Sequence, residues 1–219
     1  MVTPLIVIFL LGGLQGFVGW YMVKSGLSSM PHVSHFRLAL HQGMALFLLI
    51  AILWTALSLD KEKSSDIIGS KKLFRLSVLS LIFLSIQITL GALVAGLKAG
   101  YSYNNFPMMG DSFFPNSDVI ATASYFHNGV MLQFTHRWFA FATVGLFLVL
   151  FYKSRSFPEI HSSTKWLLYL TIVQIILGIT TLMLSVPIFL GVVHQFFAIF
   201  VLMAVVNVMH VQLYSTAVR

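Results

Sequence analysis

Long apolar runs separated by short polar segments make up most of this chain. Six runs are each close to the ~20 residues that an α-helix needs to cross the hydrocarbon core of a bilayer. They cover residues 4–23, 36–59, 73–97, 127–152, 165–184 and 189–213. The prolines fall at the ends of these runs or between them, where a missing N–H does no damage. The pattern predicts an all-α polytopic membrane protein with six transmembrane helices.

Composition supports lipid as the solvent of this protein. Of the 219 residues, 58% are hydrophobic and 9% are charged, whereas about a quarter of the residues of a soluble domain are charged. With so few charged residues, the formal net charge of +7 indicates basic loops beside a membrane, and no nucleic-acid partner is expected. The absence of cysteine excludes disulfides and thiolate-bound metals.

The basic residues predict the orientation of the chain. Nine of them share one side of the predicted topology: Lys61, Lys63, Lys71, Lys72, Arg75, Lys153, Arg155, Lys165 and Arg219. Four fall on the other side: Lys24, Arg37, Lys98 and Arg137. The excess of lysine and arginine in cytoplasmic loops places both termini in the cytoplasm. The long segment 98–126 is then an outer loop.

The chain contains an internal repeat of helical hairpins. A glutamine precedes a glycine by four residues in each odd-numbered run, and each even-numbered run carries a histidine. The pairs are Gln15 and Gly19, Gln87 and Gly91, and Gln174 and Gly178, and the histidines are His41, His136 and His194. Four residues is about one helical turn, so each glutamine and glycine share a face of their helix.

The three histidines predict a heme site near the outer surface. Each lies near the outer end of its run, and a polar ring inside a bilayer is a functional candidate by default. Two imidazoles on facing helices can hold a heme iron from both sides, and His136 and His194 are the expected axial ligands. A hydrogen bond between helices is the alternative for any single histidine. Zinc is disfavoured because no cysteine or carboxylate lies inside a run.

The four basic residues on the outer side are candidates for binding the heme propionates. Arginine pairs with carboxylates through a planar fork, which suits Arg37 and Arg137. Lys24 and Lys98 are weaker candidates, because snorkelling of their amines to the interface explains them equally well. The remaining histidines are expected to lie outside the heme site: His32, His35, His127 and His161 in solvated positions, and His210 near the inner end of the last helix.

The repeat also predicts the domain organisation. Residues 73–219 form a complete four-helix bundle, residues 60–72 a cytoplasmic linker, and residues 1–59 the one remaining hairpin of an N-terminal half. That hairpin either packs alone at the edge of the bundle or pairs with a further hairpin that this chain lacks. The second arrangement is expected, because each unit in the repeat has the same parts.

Several motifs carry a resemblance to a known family. They lie at residues 12–20 and 22–27, at 37–41, from 90–97 through 103–107, at 133–137, and from 177–182 through Val186 and Pro187 to His194 and Gln195. In this order they cover essentially the whole chain. The chain resembles the heme A synthases of the type shared by α-proteobacteria and mitochondria.

The resemblance implies an eight-helix protein of the bacterial inner membrane made of two four-helix halves. His136 and His194 would ligate heme b in the second half, and His41 would face a substrate heme in the first. The implied activity is oxidation of a ring methyl of heme O to the formyl of heme A, for cytochrome oxidase assembly. Heme O synthase and an electron acceptor are the implied partners.

The N-terminus departs from the pattern of this family. The family's first two helices and a glutamate that is thought to act in catalysis have no counterpart here, so the sequence assigns no catalytic residue. The main alternative function is a membrane b-type cytochrome that only transfers electrons. That function favours hemes near both membrane faces, whereas the three matched histidines lie near one. A transporter would need buried charges or broken helices, and the runs contain neither.

Overall fold

Six long helices make up the computed structural model, which describes residues 2–26, 33–59, 61–63, 68–116 and 124–216. They are α1 (Val2–Gly26), α2 (His35–Leu57), α3 (Lys71–Gly96), α4 (Gly129–Ser154), α5 (Pro158–Met183) and α6 (Ile188–Val211). Each is long and apolar enough to cross a membrane. The predicted six-helix fold is confirmed, and the chain is a multi-pass membrane protein.

Local sequence explains where two of these helices begin. The Ser70 side chain accepts a hydrogen bond from the Leu73 amide at 3.1 Å at the start of α3. The Asn128 Oδ1 accepts from the amides of Val130 and Met131 at the start of α4. Both side chains satisfy amides that have no partner within the helix.

The fifth helix begins seven residues earlier than the predicted position 165. Its first residue is Pro158, whose fixed φ and missing N–H suit the first turn of a helix. Glu159 follows in the same turn, where a negative charge favours the helix dipole. The prediction was wrong here because it followed hydropathy, whereas the polar residues 158–165 continue the helix beyond the apolar run.

The last four helices form a closed bundle, with α3 on α4, α4 on α5, α5 on α6 and α6 on α3. Helix α2 packs against α3 and α6 from outside this ring, and α1 packs against α2. The main apolar core lies inside the bundle, where Phe147, Leu150, Leu167, Leu202 and Val205 are at most 1% exposed. The first hairpin therefore lies beside a bundle that has its own core.

A short ribbon holds together the end of the molecule that is predicted to face the cytoplasm and is called the inner end below. Strands β1 (Lys61–Lys63) and β2 (Tyr214–Thr216) pair antiparallel, a small addition to the predicted all-α fold. Beside it, the buried Gln212 donates to the Ser77 hydroxyl at 2.8 Å and accepts from the Ile68 amide at 2.9 Å. The segment between the first hairpin and the bundle is thus held against the end of α6.

The described part of the outer segment, residues 98–116 and 124–127, folds over the opposite end of the bundle. Asn104 donates to the Leu182 carbonyl at the end of α5 at 3.0 Å. Gly100 lies against Val186 in the turn between α5 and α6, where a side chain at residue 100 would come within 2.9 Å of Val186. Segment 98–116, called the outer loop below, therefore covers the ends of the helices that carry the candidate histidines.

Candidate functional site

The same hydrogen bond joins the two helices of every hairpin. The side-chain amide of the glutamine on the outgoing helix donates to the backbone carbonyl of the histidine on the returning helix. The distances are 3.2 Å from Gln15 to His41, 3.0 Å from Gln87 to His136 and 3.1 Å from Gln174 to His194. In apolar surroundings such a bond fixes the relative height of two helices, because breaking it leaves a polar group without a partner.

The glycine one turn after each glutamine makes room for the ring of the histidine. A Cβ atom built on Gly19, Gly91 or Gly178 would lie 2.9, 3.0 or 2.8 Å from the Cε1 atom of His41, His136 or His194, respectively. Real Cβ contacts are rarely this short, so a methyl group at any of the three glycines would require the imidazole to move. The glutamine–glycine spacing read from the sequence thus corresponds to a seat for an imidazole.

The three histidines lie at similar distances from the first residues of their helices. The histidines lie six, seven and six residues after the first residues of α2, α4 and α6. One residue corresponds to ~1.5 Å of helix, and all three helices begin at the same end of the molecule. His136 and His194 lie on different hairpins of the closed bundle, on α4 and α6.

The ring nitrogens of the two bundle histidines differ in their surroundings. The Gln87 amide nitrogen lies 3.1 Å from Nδ1 of His136. Nδ1 of His194 is buried and has no hydrogen-bond partner among the described residues. An imidazole nitrogen left in this state inside a membrane protein is available for a ligand or a further proton donor.

The histidines at this site suit a metal cofactor in which most of the metal ligands belong to the cofactor itself. No group of three or more histidine, cysteine, aspartate or glutamate side chains could hold a metal ion within the described ranges. A bare zinc site needs about four protein ligands. A porphyrin surrounds its iron with four nitrogens and leaves two axial positions, which two imidazoles can fill. His136 and His194 are of the donor type that these two positions take.

His41 lies apart from the bundle site, in the first hairpin. Its ring lines a crevice of about 460 Å³ between α2, α3 and α6. At the rim of this crevice, Gln195 donates to Gln42 at 3.0 Å and so links the first hairpin to the bundle. The structure thus places His136 and His194 on two helices of one bundle and His41 in an equivalent seat on the neighbouring hairpin.

Arg137 holds the outer loop. Its guanidinium donates to the carbonyls of Asn105, Met108 and Tyr103 at 3.0, 3.1 and 2.6 Å, and its buried Nε has no hydrogen-bond partner within the described residues. Gln133, one turn earlier on α4, donates to the Tyr103 carbonyl as well, at 3.0 Å. This role of Gln133 was not predicted from the sequence, although its spacing of four residues from Arg137 indicates a shared helix face.

The other three outer basic residues lie nearer to the surface. The Arg37 guanidinium lies 5.5 Å from the centre of the Tyr21 ring, within the range of a cation–π contact. Lys24, in the last turn of α1, and Lys98, at the end of α3, are exposed. Each of the three can place its positive charge near the predicted outer surface of the membrane. None of them lies inside the bundle.

Not all remaining histidines are solvated. His35 is only 8% exposed and bonds to the Phe126 carbonyl at 2.9 Å, because the segment before α4 folds back over the start of α2. His161 contacts the buried Ser154 hydroxyl at 3.1 Å, whereas His127 is exposed as predicted. His210 is fully buried at the inner end against Ser58 and Tyr214. His32 lies outside the described residues.

Comparison with known proteins identifies relatives along nearly the whole chain. Residues 1–206 match the family model described as COX15-CtaA, cytochrome oxidase assembly protein. The chain is 37% identical over 215 residues to a heme A synthase of Flavobacterium johnsoniae, covering 94% of this chain and 62% of that relative. It is 42% identical over 205 residues to a heme A synthase of Sinorhizobium medicae, covering 91% of this chain and 56% of that relative.

The matches are consistent in how much of each relative they span. A heme A synthase of Rhizorhabdus wittichii is 39% identical over 203 residues, which cover 90% of this chain and 57% of the relative. The chain thus spans about three fifths of the length of the curated relatives it matches. With the match to residues 1–206, these likenesses show that the chain belongs to the COX15-CtaA family of cytochrome oxidase assembly proteins.

Proposed function

We propose that this chain holds one heme b between the α3–α4 and α5–α6 hairpins, with His136 and His194 as its axial ligands. The observation that carries the proposal is the repeated seat, in which a glutamine and a glycine hold an imidazole on each hairpin of the bundle. The matching positions of His136 and His194, seven and six residues after the first residues of α4 and α6, support it. When bound, the heme supplies one-electron redox chemistry.

The activity proposed for the protein is the oxidation of a ring methyl of heme O to the formyl group of heme A. Relatives named heme A synthase support this proposal. His41 is the candidate ligand for the substrate heme, because its seat repeats that of the two bundle histidines. No aspartate or glutamate lies inside the described spans apart from the exposed Glu159 in the first turn of α5. The catalytic group is therefore not assigned.

The chain's own residues would orient and shield the heme. Apolar side chains of the bundle exclude water from beneath the histidines, since Leu84, Ile88 and Val201 are at most 8% exposed. The outer loop covers the open end of the bundle and is held there by Gln133 and Arg137. Arg137, with its free Nε, and Arg37 are the proposed partners of the propionates, and Lys24 and Lys98 would add positive charge at the same surface.

The proposed membrane placement is the bacterial inner membrane with both termini in the cytoplasm. The nine basic residues of the inner side support it. The pairing of β1 with β2 places the α2–α3 linker beside the C-terminal end, as this topology requires. Heme O synthase and an electron acceptor are proposed as partners on the family resemblance.

Heme O conversion separates a synthase from a b-type electron carrier. The purified chain in a lipid nanodisc is supplied with heme O and an oxidant, and the porphyrins are extracted and separated by mass. Formation of the formyl product supports the synthase. If the chain binds heme b and can be oxidised and reduced but forms no formyl product, the result supports an electron carrier and contradicts a synthase activity of this chain alone.

Replacing either proposed axial ligand should abolish low-spin heme b. We expect His136→Ala and His194→Ala each to lose the low-spin optical bands, because one imidazole cannot fill both axial positions. Extracted heme content and the absorption spectrum measure the effect. His161→Ala, which alters a histidine at the inner end of the bundle, should keep both. Unchanged bands in His136→Ala or His194→Ala contradict the ligand assignment.

Closing the seat of one histidine should weaken heme binding without removing a ligand. In Gly178→Ala, the new methyl group would lie 2.8 Å from Cε1 of His194 and force the ring to move. We expect heme retention to fall by about tenfold, as for other losses of support around a metal ligand. Gly145→Ala is the matched control, because nothing lies within 4 Å of a Cβ there. Equal retention in both variants argues against the seat.

The proposed propionate contact of Arg137 can be separated from its role in the outer loop. Arg137→Ala removes the cation and its bonds to the loop, whereas Gln133→Leu removes loop bonds and keeps the cation. We expect Arg137→Ala to lower heme affinity by at least about tenfold, in the range of a lost charge-assisted hydrogen bond, and Gln133→Leu to lower it less. Equal losses, measured by heme titration, would show that Arg137 acts through the loop alone.

A further inference from the structure

The three glutamines share an unexplained feature. The side-chain oxygens of Gln15, Gln87 and Gln174 are all buried, and none has a hydrogen-bond partner in the part of the chain that the structure describes. A buried amide oxygen without a donor is costly. The side-chain oxygens of Gln133 and Gln212 are also without a partner among the described residues, but these three recur at the same place in every hairpin, each on the helix that faces a candidate histidine.

The arrangement around His136 points to a hydrogen bond between the glutamine side chain and the histidine ring. The Gln87 amide nitrogen lies 3.1 Å from Nδ1 of the ring. If the nitrogen donates, Nδ1 accepts and the proton of a neutral ring is on Nε2. Iron bound at Nε2 requires the other tautomer, with the proton on Nδ1. The group beside Nδ1 must then accept a hydrogen bond.

Glutamine is suited to this exchange because its amide carries a donor and an acceptor. Rotation about its last side-chain torsion, which has a broad energy minimum, interchanges the nitrogen and the oxygen. The oxygen without a partner can thus be turned towards an Nδ1 proton. The carbonyl of the histidine, inside a helix, also receives the amide of the residue four positions later. Leucine offers neither group, and a hydroxyl is too short to reach across.

We propose that Gln87 and Gln174 are positioning residues for the axial histidines, and that their amide oxygens accept the Nδ1 protons of His136 and His194 when iron occupies Nε2. This inference rests on the proposed heme site. An acceptor at Nδ1 makes the imidazole a stronger electron donor to the iron, which stabilises the ferric state. With the amide turned in this way, the glutamines set the reduction potential of the heme, and the histidine carbonyl keeps its bond within the helix.

The test is a redox titration of the full chain with bound heme b, in detergent, followed by optical absorption. Gln87→Leu and Gln174→Leu should each raise the reduction potential, because the acceptor is lost. Gln87→Glu should lower it below the wild-type value, because a carboxylate accepts more strongly. Gln195→Leu is the matched control: this glutamine follows His194 in the sequence but bonds to Gln42, so the potential should stay unchanged.

The outcomes distinguish this inference from the proposed function. A wild-type chain that binds no heme contradicts the proposed function itself. If the wild type binds heme and both leucine variants keep its potential, or lower it, the acceptor role is wrong while the heme site stands. Should a leucine variant lose its heme, Gln87→Glu decides: a lowered potential supports the acceptor role, and a potential that is unchanged or raised overturns it.

Discussion

One hydrogen bond, repeated in each hairpin, organises this protein: a glutamine amide on one helix donates to the carbonyl of a histidine on the next. In water such a bond contributes little, because both groups are hydrated when apart. In hydrocarbon they would have no alternative partner, so the bond fixes the register of the two helices. The glycine one turn later then decides where the ring lies. The contacts that pack the two helices of a hairpin therefore also position its proposed ligand.

The two ends of the bundle protect this arrangement in different ways. At the inner end, the β1–β2 ribbon and the buried Gln212 hold the linker against α6. At the outer end, Arg137 binds three carbonyls of the outer loop, which lies across the turn between α5 and α6. The histidines lie one to two turns below this cover. A flat ligand held by them would be shielded from water and close to fixed positive charge.

Much of this architecture can be predicted from the sequence. The thickness of the bilayer sets the length of the helices, and the hairpin repeat indicates which faces of the helices pack together. The spacing of Gln87 and Gly91 predicts a shared face, and the structure adds that this face seats His136. Contacts with the irregular outer loop could not be predicted, because Arg137 reaches carbonyls about thirty residues away. The first turns of α5 are polar, so hydropathy did not predict them as part of the helix. The burial of His35 depends on its contact with the segment before α4, whose sequence has no regular hydrophobic period.

The proposed heme site requires that two imidazoles, one from each hairpin of the bundle, bind the same iron. The most direct measurement is electron paramagnetic resonance of the ferric chain with ¹⁵N-labelled histidine, resolving the nuclei coupled to the iron. We expect a low-spin ferric signal with hyperfine coupling to nitrogens of two histidine rings. A high-spin signal, or coupling to a single histidine, would contradict it.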